Sequence, residues 1–205
     1  LEGSLLEQRP CHVFLWKIAD MLKEQLQDSH ITDEKRIKTI QKKINEWKVE
    51  RKRIETEVPE KAYSILSDGF PVLLYGYSDT IVRCFEYFLN KKKKDIEVYI
   101  CEGRPKTKYR FNNRLVYCDG IKYAKELRKI GMDRIHLVTD VCVSNLLSKG
   151  KISKVLFGAN GIGLNGRVSH TLGHLAIAEM ASVHRVPVYI IADSMKVGFV
   201  QERPD

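Results

Sequence analysis

From Phe70 onward the chain alternates short β-branched runs with amphipathic segments, and this alternation limits the possible folds more than any other feature. It predicts strands over 72–75, 96–101, 134–138, 154–157 and 188–191, with helices near 79–90, 120–130, 142–149 and 171–184. Strands that are apolar on both faces need helices on both sides of the sheet. Because crossovers between parallel strands are right-handed, the predicted fold class is α/β with a doubly wound, mostly parallel, Rossmann-like sheet.

The first third of the chain predicts helices instead. Apolar residues recur every three or four positions from near Cys11 to Leu26, which indicates a helix of about four turns. A narrower stripe indicates a longer second helix, which we expect Pro59 to break or restart; it consists of Ile37, Ile40, Ile44, Trp47, Ile54 and Val58. So narrow a stripe must pack on the following domain or on another chain. We therefore predict a helical domain over 1–66 and an α/β domain over 67–205.

Composition excludes several classes of protein. With 205 residues, 43% apolar and 30% charged, the chain is neither collagen-like nor wholly disordered. It has no run of about 18 uncharged apolar residues, so we expect no membrane segment and a cytoplasmic location. Its five cysteines form no C-x-x-C motif, which indicates reduced thiols. We predict neither a metal site nor a cofactor.

The positive charge is concentrated in one segment. The formal net charge is +9, and the segment from Lys91 to Arg114 holds nine basic and three acidic residues. Such a patch fits nucleic acid, an acidic protein or a phosphorylated ligand. A solvated turn that keeps the surface soluble is an equally good interpretation.

The segment GANGIGLNG contains a formal G-x-G-x-x-G through Gly161, Gly163 and Gly166. Its first glycine comes several residues after the predicted strand ends, whereas a dinucleotide turn is tight. We therefore prefer a wide turn with positive φ at several positions. His170 and His174, four residues apart, would share a helical face, where a solvent-facing or capping role is favoured over metal binding.

An anion pocket is the best-supported site. Arg104, in the basic loop CEGRPKTKYR, can hold a phosphate or carboxylate with two hydrogen bonds. The start of the predicted helix after Tyr77 and Ser78 can assist it. The sequence has no G-x-S-x-G elbow and no phosphate loop, so serine hydrolase and P-loop chemistry have no motif.

Four segments carry a family resemblance, in this order: RPCHVFLWKIADMLKEQL, VLLYGYSDTIVRCFEYF, VYICEGRPKTKYR and KVLFGANGIGLNGRVSHTLGHLAIAEMASVHRVPVYIIADSMKV. They resemble the blocks shared by the regulatory alpha, beta and delta subunits of translation initiation factor 2B. The same superfamily includes methylthioribose-1-phosphate isomerase and ribose-1,5-bisphosphate isomerase. The string LLYGYSDTIVR is most similar to the delta subunit.

The resemblance also shows where this chain departs from the isomerases. Their proton-transferring Cys matches Gly76, and their catalytic Asp matches Asn160, whose amide neither accepts nor gives a proton at neutral pH. Their phosphate-gripping Asn-Lys pair falls on His170 and Thr171. Features that the chain retains include Arg9, Arg104, Asn165 and Lys196.

The resemblance therefore implies a non-catalytic, delta-like regulatory subunit of the initiation factor 2B guanine-nucleotide exchange complex. We expect it to assemble with other subunits or with itself as a dimer, and to bind initiation factor 2. Two alternatives stay open: a sugar-phosphate aldose-ketose isomerase with an unusual residue set, such as Asp140 and His170, and a stand-alone nucleotide- or anion-binding module. The candidate residues for a small phosphorylated ligand are Arg9, Tyr77, Ser78, Arg104, Asp140, Asn160, Asn165, His170 and Lys196.

Overall fold

A computed structural model describes residues 13–27, 31–92, 96–103, 110–111, 114–115 and 118–198. The chain divides into two compact units. The helical unit comprises the chain up to Glu57, Ala159–His170 and the residues from Asp193 onward. The sheet unit comprises Val58–Gly158 and Thr171–Ala192. The predicted division into domains at residue 66 stays a prediction.

The described residues form helices, strands and two 3-10 turns in the following order. The α-helices are α1 Val13–Gln27, α2 Asp33–Leu66, α3 Asp79–Lys92, α4 Asp119–Lys129, α5 Val143–Ser148 and α6 His174–Val183. The strands are β1 Val72–Leu74, β2 Val98–Cys101, β3 Arg110–Phe111, β4 Arg114–Leu115, β5 Ile135–Val138, β6 Lys154–Phe157, β7 Gly161–Ile162, β8 Val168–Ser169 and β9 Val188–Ile190. The 3-10 turns are Asp140–Cys142 and Ser194–Lys196. None of the described helices has the length and apolar character needed to cross a lipid bilayer.

The sheet unit is built on one five-stranded parallel sheet in the order β5-β2-β1-β6-β9. Its centre is β1, where Val72 pairs with Val98 on one side and with Lys154 on the other. The chain adds β2 and β5 on one side of β1, then crosses back and adds β6 and β9 on the other side. This change of side next to β1 is typical of doubly wound nucleotide-binding folds. The predicted α/β fold class, with its mostly parallel sheet, is confirmed.

Alternate residues of the strands fill two separate cores, one on each face of the sheet. On one face Val72 and Leu74 of β1 pack against α3 and α4, through residues such as Phe85 and Leu127. The C-terminal end of α2 joins this layer. On the other face Leu73 packs with apolar side chains of α5 and α6. Two-sided coverage explains why β1 and β6 are buried at every position.

A partly buried ion pair joins the start of β6 to the residues just after α2. Lys154 Nζ donates to the Ile65 carbonyl at 2.6 Å and to the Asp68 carboxylate. Burial alone would raise the pKa of Asp68, but the hydrogen bonds from Lys154 and from the Phe70 amide outweigh it and lower the pKa. Lys154 is the charged residue of β6, and its buried ammonium group is stabilised by hydrogen bonds to both acceptors.

The helical unit packs α1 against the first part of α2. The rings of Phe14 and Trp47 meet edge to face at 5.3 Å, and Lys17 Nζ donates to the Met195 carbonyl at 3.2 Å. Strands β7 and β8 form a short antiparallel hairpin, from which Ile162 makes a parallel bridge to Val197. Two residues of the predicted α2 stripe, Ile37 and Ile44, are exposed to 55% and 39%.

The expected break at Pro59 is wrong, because α2 continues through it to Leu66. Proline removes one helical hydrogen bond, a local cost that packing on either side can outweigh. Pro59 is buried, and Ala62 and Leu66 after it lie in the core of the sheet unit. Before it, Arg51 and Arg53 pair with glutamates four residues ahead on the same helix.

We expect Leu73→Ala to lower the free energy of unfolding by about 2–5 kcal/mol, because the fully buried side chain leaves a cavity between β1 and the second helical layer. Leu175→Ala is the matched control, since Leu175 is 72% exposed and the same atoms are removed. Denaturant titration followed by circular dichroism measures both. Equal effects of the two substitutions would contradict the described core.

We expect Lys154→Met to destabilise the fold by about 1–3 kcal/mol near pH 7, because the Ile65 carbonyl and Asp68 lose their donor. The pKa of Asp68 is lower in the folded protein than in the unfolded chain, so the pair stabilises the fold above about pH 4 and loses this effect as the pH falls through the folded value. The difference from the parent protein should therefore shrink in acid. Unfolding at pH 7 and pH 3 tests this, with the exposed Lys151→Met as control.

Candidate functional site

The polar groups of the sheet unit gather where its parallel strands end. Tyr75 follows β1, Cys101 closes β2, and Asp140 lies two residues after β5. Helix α4 begins at Asp119 and α6 at His174. In a parallel sheet all carboxyl ends lie at one edge, and the helices that follow a strand start there. We call this the carboxyl edge.

Asp140 is fixed in place by the backbone of the neighbouring strand's loop. Its Oδ1 accepts a hydrogen bond from the Gly103 amide at 2.9 Å. Gly103 has a φ of +75°, a conformation that glycine adopts without strain. Asp140 also begins the 3-10 turn that leads into α5, and it is half-buried. The carboxyl group is therefore oriented and within reach of solvent.

Cys101 is fully buried beneath the same edge. Burial raises the pKa of its thiol, and the nearby Asp140 carboxylate raises it further, so the thiol stays protonated at neutral pH. A Cβ atom on Gly120 would lie 2.2 Å from the Cys101 carbonyl oxygen, which explains glycine at the second position of α4. The side chain of Cys101 shapes the edge and does not face solvent.

Tyr75 and His174 interlock at the centre of the edge. The Tyr75 hydroxyl donates to the Leu172 carbonyl at 3.1 Å, and the two rings meet edge to face at 4.7 Å. Burial raises the pKa of Tyr75 to about 12, with the charges of Asp140 and Asp119 contributing. Burial also lowers the pKa of His174, which is 6% exposed.

The start of α3 is already capped. Ser78 Oγ accepts from the Ile81 amide at 3.4 Å, and the Tyr77 hydroxyl donates to Asp79 Oδ1 at 2.6 Å. Lys122 Nζ lies 3.4 Å from the centroid of the Tyr77 ring. Because the Asp79 carboxylate occupies the first turn, this helix start is less favourable for an anion than the sequence alone indicates.

The other candidate residues lie elsewhere. Asn160, Asn165, His170 and Lys196 belong to the helical unit, while Arg9 and Arg104 fall outside the described residues. The backbone N–H of Asn160 donates to the Ser169 carbonyl at 2.9 Å, and Asn165 Oδ1 accepts from the backbone N–H of Arg167 at 3.1 Å. Five of the nine basic residues in the segment from Lys91 to Arg114 also lie outside the described residues. The structure thus brings Tyr77 and Ser78 together and places Asp140 at the same edge, and the predicted pocket as a whole stays a prediction.

Two sequence interpretations need correction. The glycine-rich segment forms the β7-β8 hairpin, and among its three motif glycines only Gly166 has a positive φ, at +80°. His170 and His174 do not share a helical face, because α6 begins at His174 and His170 precedes it. His174 is buried where a solvent-facing or capping role was expected.

Sequence reasoning also missed or misplaced residues of the edge. Tyr75 is the last residue of the strand predicted over 72–75, and this position places it at the carboxyl edge. Nothing in the sequence indicates that it contacts His174. Cys142, at the start of the helix predicted near 142–149, is exposed in the 3-10 turn before that helix, with Sγ 3.0 Å from Thr139 Oγ1. Among the described side chains, no three His, Cys, Asp or Glu residues are grouped to hold a metal ion. The chemistry that the described groups offer is proton transfer by carboxyl, thiol, phenol and imidazole.

Solved structures with the same fold include two initiation factors. The crystal structure of translation initiation factor eIF-2B from Pyrococcus horikoshii superimposes with a TM-score of 0.72 at 19% identity, over 94% of this chain and 61% of that one. The delta subunit of eIF-2B from A. fulgidus gives a TM-score of 0.57 at 26% identity, over 80% of this chain and 48% of that one. The first match shows the fold alone.

Curated relatives include sugar-phosphate isomerases. The chain is 24% identical to a 5-deoxyribose 1-phosphate isomerase of Bacillus thuringiensis over 88% of its length and 46% of the relative's. It is 27% identical to a methylthioribose-1-phosphate isomerase of Petrotoga mobilis over 94% of its length and 54% of the relative's. The chain thus spans about half the length of the curated relatives it matches.

These relatives contradict the prediction that the chain is not an enzyme. That prediction rested on the positions where the chain departs from the isomerases: Gly76 and Asn160 stand where the resemblance places their Cys and Asp, and His170 with Thr171 where it places their phosphate-gripping pair. The relatives nevertheless carry the names of isomerases, and their alignments cover nearly the whole of this chain. The prediction of a non-catalytic protein is therefore wrong, and substitutions at a few aligned positions were too narrow a basis for it.

Family membership follows from a match that covers almost the entire sequence. The model of the initiation factor 2 subunit family aligns with residues 2–202. The fold of the sheet unit and the structural likenesses agree with this match. The chain belongs to the initiation factor 2 subunit family.

Proposed function

We propose that this chain forms part of an aldose-ketose isomerase that acts on a pentose phosphorylated at C1. The relatives named for 5-deoxyribose 1-phosphate and methylthioribose 1-phosphate support this substrate class, since both compounds share a C1 phosphate and lack the 5-hydroxyl. The observation that carries the proposal is the placement of Asp140. Its carboxyl group is held by a backbone amide at the edge of a parallel sheet where ligands of such folds bind.

The reaction needs a base and an acid. Conversion of the ring form of an aldose 1-phosphate to the ketose breaks the bond from C1 to the ring oxygen, which gains a proton. The O2 hydroxyl loses a proton, and one hydrogen moves from C2 to C1. We assign Asp140 as the base that takes the O2 proton, because it is oriented and accessible.

The acid must be a reachable proton donor. Cys101 is fully buried, whereas Cys142 is exposed two residues after Asp140 on the same 3-10 turn. We assign the Cys142 thiol as the group that protonates the ring oxygen. This residue set differs from that of the isomerases, because Gly76 has a φ of +69°, at which a side chain is strained, and Asn160 carries an amide.

Asp140→Asn should lower kcat for methylthioribose 1-phosphate or 5-deoxyribose 1-phosphate by about 100- to 10,000-fold, because the base is lost while the amide oxygen keeps the acceptor for Gly103. Ketose formation followed by ¹³C NMR measures the rate. Asp133→Asn is the matched control, since Asp133 is exposed and pairs only with a surface arginine in the interactions described. Full activity of Asp140→Asn would exclude Asp140 as the base.

Absence of turnover by the parent protein on either sugar phosphate would overturn the isomerase proposal as a whole. Cys142→Ser separates the two assignments, because a serine hydroxyl is a much weaker acid than a thiol. It should lower kcat without affecting the stability of the fold, since Cys142 is exposed. Unchanged kcat would move the acid role to another group.

A second candidate function is assembly with initiation factor 2B subunits and binding of initiation factor 2. The 26% identity to the delta subunit of A. fulgidus favours it. The exposed apolar positions Ile37 and Ile44 on α2 offer a surface for a partner or a second copy. A small phosphorylated ligand and a cytoplasmic location stay predictions of the sequence.

Ile37→Glu should dissociate a dimer or weaken subunit binding by at least about tenfold, because it places a charge in the apolar stripe of α2. Sedimentation velocity at micromolar concentration, with and without purified initiation factor 2, reports both kinds of assembly. Thr39→Glu adds the same charge to an exposed position on the opposite side of the helix. A parent protein that sediments as a monomer in both mixtures would contradict this second function.

A further inference from the structure

One buried titratable residue at the carboxyl edge has no part in the proposed chemistry. His174 is the first residue of α6 and is 6% exposed, yet its ring carries two polar nitrogens. A buried polar group destabilises a fold unless it is hydrogen-bonded. The partners of this ring therefore show what the histidine does.

Both ring nitrogens face backbone carbonyl oxygens, and the two carbonyls belong to different segments. Nε2 lies 3.1 Å from the Tyr75 carbonyl at the end of β1. Nδ1 lies 2.9 Å from the Thr171 carbonyl and 3.3 Å from the Thr171 hydroxyl. With the proton on Nε2, this nitrogen donates to the Tyr75 carbonyl and Nδ1 can accept from the Thr171 hydroxyl, so this tautomer of the imidazole bridges β1 and the segment before α6.

The same two segments are joined a second time. The Tyr75 hydroxyl donates to the Leu172 carbonyl, and a Cβ atom on Gly173 would lie only 2.1 Å from the Tyr75 hydroxyl oxygen. Gly173 also has a φ of +96°. The imidazole is packed edge to face between the rings of Tyr75 and Phe157, each at 4.7 Å. Tyr75, Gly173 and His174 thus interlock, and we call these contacts the Tyr75-His174 clamp.

The clamp lies where the proposed reaction takes place. Asp140 is close enough to Tyr75 for its charge to affect the phenol. Helix α6 begins at this edge, and its N-cap Gly173 offers no side-chain cap for the first amides of the helix. The N–H groups of such amides can donate hydrogen bonds to an anionic group of a substrate when the helix start is held still.

We propose that His174 is a positioning residue, which acts through Tyr75 to hold the Thr171–Gly173 segment and the start of α6 in place for binding of the substrate. This inference rests on the proposed isomerase function. It goes beyond that function by naming a residue that touches no reacting atom. Because the clamp orients a binding surface and not the base, its loss should weaken substrate binding and leave the chemical step nearly unchanged.

His174→Phe tests the proposal, because it keeps an aromatic ring between Tyr75 and Phe157 and removes both nitrogens. KM for the sugar 1-phosphate should rise about tenfold or more, with kcat within about threefold of the parent value. His174→Gln, whose amide can donate to the Tyr75 carbonyl, should restore KM to within about threefold. His184→Phe, on a half-buried histidine just after the same helix, is the matched control.

Two further measurements keep the clamp and the enzyme function distinguishable. Amide hydrogen exchange over residues 173–177 should be faster in His174→Phe by about tenfold or more and unchanged in His184→Phe. If the parent protein turns over neither sugar phosphate, the proposed function fails. Inorganic phosphate titrated by calorimetry then decides the clamp, with weaker binding to His174→Phe as the expected result and equal binding as the result that overturns it.

Tyr75→Phe covers the case in which His174→Phe does not fold. It removes the hydrogen bond to the Leu172 carbonyl and leaves both rings in place. KM should rise by at least about threefold, in line with the loss of one hydrogen bond. Unchanged KM in both variants, or a loss of kcat with no change in KM, would overturn the positioning role of His174.

Discussion

In a parallel sheet covered by helices on both faces, polar functional groups can reach solvent and ligands only where the strands end. Strands β1 and β6 are buried along their whole length, and each face is closed by its own helical layer. Carboxyl, thiol, phenol and imidazole groups therefore collect where the strands end. Lys154, a buried cation at the opposite end of the sheet, is hydrogen-bonded to the Ile65 carbonyl and Asp68 and lies away from this edge.

The proposed isomerase site uses other positions of the carboxyl edge than those that the family resemblance assigns to the isomerases. At Gly76 the backbone has a conformation that disfavours any side chain, so a thiol cannot simply be restored there. An oriented carboxyl at Asp140 and an exposed thiol at Cys142 stand on the turn after β5 instead. Function in such a fold is decided by the groups that meet at the edge, and a single aligned position does not decide it.

How much the sequence predicts depends on the range of the interactions involved. The strand β6 was predicted to the residue because its three consecutive apolar positions, 155–157, lie between turns and have a strong local pattern. Pro59 was misjudged because its effect on α2 is overridden by packing of Ala62 and Leu66, which no local pattern reports. The role of His174 could not be predicted, since its partner Tyr75 lies 99 positions away in the sequence. The prediction of a wide turn in the glycine-rich segment was wrong for a similar reason, because the segment pairs with itself as the β7-β8 hairpin.

The central position of β1 has a consequence for how the protein is made. Val72 pairs with Val98 and with Lys154, so its second neighbour leaves the ribosome roughly 80 residues after it, on the order of 4 to 16 seconds later. During that interval the backbone N–H and C=O groups on one side of the apolar strand β1 have no β6 to pair with. The nascent chain is then most exposed to misassembly, and shielding by a chaperone would matter most between the emergence of β2 and that of β6.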